Sequence, residues 1–308
     1  MNRIPPSREE RNFIMRIIQK SIRIKEFPMR FSGNKRFTRN ASDRNIRPIF
    51  VALIGGFAFL TISSHGTAQE TEIPSISTDR PGQTTPPTIA SPGSVQVEVG
   101  MQFAHDQSDG VEMTTMSIPQ ALVRIGLLPA MELRVQGEAR SIRTSLPPAP
   151  ATSHSGLAGL AIGTKIGVTG ESKLIPETSF GMTLAMPAGD EAYRPASVAP
   201  TLFFAMRNGL SSTLNLYYNL GESWDGTNGA GTGFYDAALW NSFTTRFSGF
   251  IEIYGSFSSA VSATHAADIG AAFLVTPNIQ LDIFGGAGIT DNAPDYFVNG
   301  GVSFRLPR

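Results

Sequence analysis

The sequence contains no cysteine, which excludes a disulfide framework, thiolate metal sites and a cysteine nucleophile. Charge is scarce too: 16% of residues are Asp, Glu, Lys or Arg, against about 25% in ordinary soluble domains. No phosphate-binding loop or dinucleotide fingerprint occurs, so no cofactor is expected. The longest apolar run, Pro48 to Ile62, falls short of the roughly 20 residues that a helical membrane span needs. Sustained helical spacing is missing from everything after it. Glycine, by contrast, is plentiful, at 31 residues.

The formal net charge of zero conceals two opposed ends. Residues 1–68 hold 13 Lys and Arg against four Asp and Glu, whereas residues 69–308 hold 12 against 21. Such a split marks a targeting leader joined to a different kind of chain. Arg39, Arg44 and Arg47 precede the apolar run, and the small-residue site Gly66-Thr67-Ala68 follows it. That order describes a secretory signal peptide, with cleavage expected after Ala68. A single-pass anchor is the competing reading, but no basic stop-transfer cluster follows. A start at Met29 would give a leader of more usual length than one at Met1 or Met15. The acidic remainder would repel nucleic acid, so none is expected as a partner.

Residues 69–93, rich in Pro, Thr and Ser, read as an extended periplasmic or plug segment. From there the hydrophobic period becomes two. Val95 to Phe103 alternates apolar and polar, as do Met131 to Arg140, Ile279 to Gly285 and Val302 to Leu306. Strands are expected near 94–104, 113–126, 130–141, 156–168, 174–186, 198–207, 211–221, 234–244, 247–257, 266–275, 278–289 and 296–306. The links between them alternate in length. Longer ones fall at 105–112, 142–155, 187–197, 222–233, 258–265 and 290–295, shorter ones at 127–129, 169–173, 208–210, 245–246 and 276–277. Short periplasmic turns and longer outer loops are what a barrel in the outer membrane requires. A soluble sandwich with Greek-key links has no reason to alternate in this way. The expected fold is therefore all-β: an antiparallel up-and-down transmembrane barrel of 12 strands over 94–308. Its end, Asn299 to Leu306, resembles the assembly signal of such barrels, which implies periplasmic chaperones, the barrel-assembly machinery and outer-membrane lipid as partners.

A charge facing lipid costs about 2–4 kcal/mol near the bilayer midplane, so charged strand residues are expected to point inward. The inward set is Glu98, Arg124, Glu132, Arg134, Glu138, Arg140, Lys165, Glu177, Arg207, Asp236, Glu252, Asp268 and Asp282. Its outward partners are Val95, Val97, Val99, Leu133, Val135, Ile251, Ile253, Leu281, Ile283 and Phe304. Four charges of alternating sign make the third strand the densest constellation, with Arg124 close enough to pair across the tight turn. Two readings stand open: a charged constriction that selects solutes, or a salt-bridge network filling a narrow lumen. Asp79 and Arg80 are candidates for the periplasmic mouth, Arg80 pairing with a lumen carboxylate. Catalysis has little to stand on. His105, His154 and His265 are expected in outer loops, and the adjacent His154-Ser155 is a poor dyad for a lipid hydrolase. A three-histidine metal site would have to draw on three separate loops.

Several short motifs recur in order: Ser77-Thr78-Asp79-Arg80-Pro81, Leu122-Val-Arg124-Ile-Gly126-Leu, Met131-Glu-Leu-Arg134, Tyr218-Asn-Leu-Gly221, Trp224-Asp225-Gly226 and Phe304-Arg305-Leu306-Pro307. Together they resemble the Putative MetA-pathway of phenol degradation family over nearly all of 76–308. The resemblance implies an outer-membrane protein for uptake of aromatic or other apolar compounds, and no enzymatic activity. A non-conducting, surface-binding barrel is the alternative.

If the leader is a signal peptide, protein isolated from the outer-membrane fraction begins at or near Gln69. N-terminal peptide mapping checks this, and recovery of residues 48–62 in that fraction contradicts it.

Overall fold

The computed structural model describes residues 74–306, apart from 174, 228, 230 and 260. The leader with its expected cleavage site, and the terminal Pro307-Arg308, lie outside the described residues. Twelve antiparallel strands close into one barrel, each paired with its sequence neighbours and the first with the last. They are β1 Val95–Ser108, β2 Val111–Leu128, β3 Met131–Ser145, β4 Thr152–Thr169, β5 Glu177–Ala185 and β6 Ala199–Gly209, followed by β7 Leu214–Trp224, β8 Gly231–Ser242, β9 Phe247–Ser258, β10 Val261–Thr276, β11 Ile279–Gly288 and β12 Tyr296–Arg305. Both ends of the barrel chain, Val95 and Arg305, lie at what we term the terminal end. The hairpin Asp109-Gly110 marks the far end.

Sequence period becomes wall chemistry directly. In β11, Leu281 and Ile283 are 47% and 61% exposed, while Gln280, Asp282 and Phe284 between and beside them are buried. Met101, Phe204, Leu220, Ile251, Ile269 and Val298 continue the exposed apolar band around the barrel. An outer face of that kind suits lipid, and closure leaves no strand edge to pair elsewhere. Of the outward partners named from sequence, Val135, Ile251, Ile253, Leu281 and Ile283 are exposed.

The expected strand count holds, but the far end differs. Link 105–112 shrinks to Asp109-Gly110, whose φ values of 52° and 76° suit the tight turn of a two-residue hairpin. Link 258–265 contracts likewise, with β9 reaching Ser258 and β10 starting at Val261. The strands simply rise further than their alternation shows. Beyond the apolar band both faces are polar, so period two fades from the sequence while the backbone ladder continues. Longer links do occur at the far end, at 146–151, 186–198, 225–230 and 289–295. A bulge in β2 was also unforeseen: Gln102 pairs with Ser117 and Gly100 with Gln120, leaving Ile118-Pro119 facing Met101. Pro119 has no N–H to give the ladder, and the extra residue reverses which side chains of β2 face inward.

Replacing Ile269, 64% exposed on the apolar band, by Lys should weaken the barrel by about 2–4 kcal/mol. Urea unfolding in lipid vesicles measures this, with Ile269→Leu expected to stay within error of the parent.

Candidate functional site in the barrel interior

Residues 76–94 cross the interior, and the wall satisfies their backbone with side chains. An extended segment has no ladder of its own, so each buried N–H and C=O needs another partner. At the terminal end Ile76 donates to the Pro277 carbonyl at 2.7 Å, and Gly93 to that of Gly126 at 2.8 Å. Glu98 of β1 accepts from the amides of Asp79 and Arg80 at 2.9–3.0 Å. Glu252 of β9 accepts from the amides of Gln83 and Thr84, at 2.8 and 2.6 Å, and from the Thr84 hydroxyl. Asn219 of β7 clasps Thr85 by both its amide and its carbonyl. On the near wall, Ala90 donates to Glu132, Lys165 donates to the Pro86 carbonyl, and Arg124 donates to those of Ser77 and Thr88.

The densest chemistry surrounds Asp79. Its Oδ1 lies 3.0 Å from Arg124 and 3.1 Å from Lys165, and its Oδ2 lies 2.5 Å from Arg134. Glu132 pairs with the same three cations, at 2.8 Å from Arg124 and Arg134 and 3.7 Å from Lys165. Glu98 stands 3.3 Å from Arg124. Arg124, Glu98, Glu132 and Lys165 are fully buried. The strands alone bring three cations and two carboxylates to this spot, and Arg124 and Arg134 sit directly across from each other in register. Asp79 supplies the third carboxylate. Removing charge from water is costly, so such a cluster persists only when its signs balance and its lone pairs are occupied.

Arg80 turns the other way. Its guanidinium binds Asp282 of β11 at 2.8 Å and Asn299 of β12 at 2.6 Å. Gly100 and Gly301, paired in register on β1 and β12, form its seat. A Cβ on Gly100 would meet three Arg80 guanidinium atoms within 2.7 Å, so any side chain there displaces the arginine.

The sequence-derived residues therefore separate into groups. Asp79, Glu98, Arg124, Glu132, Arg134 and Lys165 converge, and Arg80 meets Asp282. Glu252 holds the segment. The four charges of β3 are not one constellation, because Glu138 and Arg140 lie further along the strand and pair with each other at 2.8 Å. Arg140 also sits 5.6 Å from the Tyr193 ring. Asp268 lies directly across from Glu252, and Asp236 is buried nearby on β8; neither has an ion-pair partner among the described residues. Glu177 and Arg207 pair at the terminal end. Sequence reasoning gave no interior role to Asn219, Gln280 or Asn299, although Asn219 lies in the Tyr218-Asn-Leu-Gly221 motif and each places an amide at an inward position.

The histidines stand on strands rather than in loops: His105 on β1, His154 on β4 and His265 on β10. Each has its own neighbour. His105 stacks on Tyr296, His265 meets the Tyr235 hydroxyl at 3.0 Å, and His154 binds Asp190 at 2.7 Å. Slight burial would raise the Asp190 carboxyl, but hydrogen bonds from His154 and the Ala192 amide outweigh it and hold it below the usual carboxylate range. Ser155 bonds Ser141 at 2.8 Å, so it forms no dyad with His154. Among the described residues no group of three or more His, Asp or Glu has a geometry for a metal ion.

Two cavities flank the segment. The far-end one, about 460 Å³, is bounded by Arg80, Gln83, Gln102, Gln120, Arg140, Tyr254 and Phe297. The terminal-end one, about 240 Å³, is bounded by Arg80, Pro81, Thr84, Tyr217, Trp240 and Gln280.

Asp79→Ala strands the excess cation of the cluster, and breaking a buried pair in this way costs about 3–5 kcal/mol. Heat-modifiable gel mobility should show a clearly lower barrel melting temperature, whereas Asp79→Glu recovers part of the loss.

The crystal structure of an outer membrane channel from Pseudomonas putida F1 superposes with a TM-score of 0.52 at 15% identity, covering 70% of this chain and 97% of that one. The transport unit of the autotransporter AIDA-I from Escherichia coli gives 0.47 at 11% identity, covering 70% and 90%. A structure described as the CymD monoaromatic hydrocarbon channel gives 0.39 at 7% identity, covering 70% and 89%. Identities this low speak for fold, and the first superposition carries that statement. No curated protein matches the chain in sequence. The profile of the family described as "Putative MetA-pathway of phenol degradation" matches residues 78–306, and the chain belongs to that family.

Proposed function

We propose that this barrel passes small solutes across the bacterial outer membrane, with segment 76–94 narrowing the way and the terminal end facing the periplasm. The observation that carries this reading is the position of Arg80. It borders the cavity on either side, so the partition between the two is about one residue thick at that point. A barrel built only as a scaffold gains nothing from two water-accessible chambers divided so thinly. An even strand count returns both chain ends to one side, which is the periplasmic side in barrels of this class.

In this reading the charged cluster anchors the partition. Its carboxylates and cations are occupied with one another and with the segment's backbone, which leaves the Arg80 end as the part that can yield. The Arg80 backbone is held by Glu98 and Gln280, but its guanidinium rests on one carboxylate and one side-chain amide above two glycines, a seat a neighbouring side chain would fill. Export through the signal peptide and delivery by periplasmic chaperones to the barrel-assembly machinery belong to the same proposal. The solute class that the family description suggests is aromatic, and small apolar compounds are proposed on that basis.

Single-channel recording in a planar bilayer tests the reading. The refolded full-length protein should give small, discrete current steps, and Arg80→Ala should enlarge them severalfold by opening the partition. Gly100→Ala, which leaves Arg80 in the chain but fills its seat, should reproduce the enlargement. A protein that carries no current in any of the three forms is not a channel.

A further inference from the structure

The two halves of the interior wall differ in chemistry. The ionic half, on β1 to β4, is the cluster around Asp79. On β8 to β12 five aromatic rings stand among the buried carboxylates of Asp236, Glu252, Asp268 and Asp282. Trp240 and Phe250 stack with ring centroids 4.6 Å apart and planes 14° from parallel. Phe250 and Phe284 follow at 6.4 Å, Phe284 and Phe297 at 6.1 Å, and Phe297 and Tyr254 at 6.5 Å. Five rings thus form one continuous column. Trp240 borders the terminal-end cavity, while Tyr254 and Phe297 border the far-end cavity. Phe250, Phe284 and Phe297 are each 4% exposed and Tyr254 3%, while Trp240 is partly buried.

The segment lies over Phe250 and Phe284. A Cβ on Gly82 would lie 3.2 Å from the Phe250 ring, and the Arg80 guanidinium sits 6.0 Å from the centre of the Phe284 ring. Gly82 adopts a φ of +93°, which a residue with a side chain rarely takes up, so the chain passes close over the column at a place built for glycine. A buried column of rings that borders a cavity at each end, with the segment lying over its middle, can do more than fill space.

Resting on the passage reading above, we propose that the column is the track of a small, uncharged, ring-bearing solute, and that Arg80-Pro81-Gly82 is the barrier lying across it. Ring pairs attract in stacked or edge-on arrangements at centroid spacings of about 4.5–7 Å, so a flat solute finds equivalent partners all along the column. A series of similar weak sites suits passage, because binding must permit entry without preventing exit. The ionic half holds the segment rather than the solute, since its charges are already paired with one another and with Asp79. Displacing Arg80 from Asp282 uncovers Phe284 and joins the two aromatic ends.

The test uses full-length protein in a planar bilayer, with 4-nitrobenzyl alcohol or cyclohexylmethanol added at the far side. These neutral alcohols share a ring of six carbons but only the first is aromatic. The nitro compound should reduce the potassium chloride current at a roughly tenfold lower concentration than cyclohexylmethanol. In the Phe250→Leu, Phe284→Leu double variant, which keeps apolar bulk without the rings, that preference should vanish. Phe297→Leu, at the margin of the far-end cavity, serves with the same expectation if the double variant does not fold. Equal potency of the two alcohols on the parent protein, or a preference that survives the substitutions, overturns the track. Absence of any current overturns the passage reading, and the column is then judged by fluorescence. Trp224→Phe leaves Trp240 as the sole tryptophan. Saturable quenching of Trp240 by the nitro compound, lost in the double variant, upholds ring binding at the column. Absence of that quenching removes it.

Discussion

The ion pairs of Asp79 hold the interior together, because the wall around them is unbalanced without that residue. Closing twelve strands brings Arg124, Arg134 and Lys165 to one place against only Glu98 and Glu132. Three buried cations cannot sit beside two carboxylates without a large desolvation penalty, and the third carboxylate arrives on a segment outside the barrel wall. Once Asp79 is fixed, the next residue has little choice of direction, and Arg80 reaches the Asp282 side of the lumen. Two adjacent residues therefore tie opposite walls together.

That tie explains how an extended segment remains ordered inside a barrel. It lacks secondary structure to satisfy its amides, so the wall answers with Glu98, Glu252, Asn219 and Gln280, spread over four strands. Carboxylates that accept backbone N–H groups serve two needs at once, filling their own lone pairs and removing orphan donors from the segment. The interior resembles a protein core in burial but not in composition. Complementary polar groups hold the segment in place, so single charge deletions are expected to weaken it.

The asymmetry of the lumen follows from the same arrangement. The three-cation cluster is gathered on β1 to β4, while Trp240, Phe250, Phe284, Phe297 and Tyr254 share β8 to β12 with the buried carboxylates of Asp236, Glu252, Asp268 and Asp282. The segment lies where the two halves meet, anchored on the ionic side and resting against the aromatic one. Asp79 fixes it on the ionic side, and Arg80 fixes it on the other through Asp282 and Asn299.

The sequence by itself determined the closed barrel, its twelve strands and the facing of most charged residues. Period-two alternation is a local property, and the cost of charge in lipid assigns its parity at each strand. It also marked Asp79 and Arg80, through the family's Ser-Thr-Asp-Arg-Pro motif. Other features were decided by tertiary structure. The far-end hairpins were hidden because strands above the apolar band are polar on both faces. The division of the β3 charges into two groups depended on where Asp79 enters. The aromatic column draws one or two residues from each of four separate strands, β8, β9, β11 and β12. Register across a closed sheet brings them into line, and register is set by every hairpin around the barrel at once, a constraint that no local stretch of sequence contains.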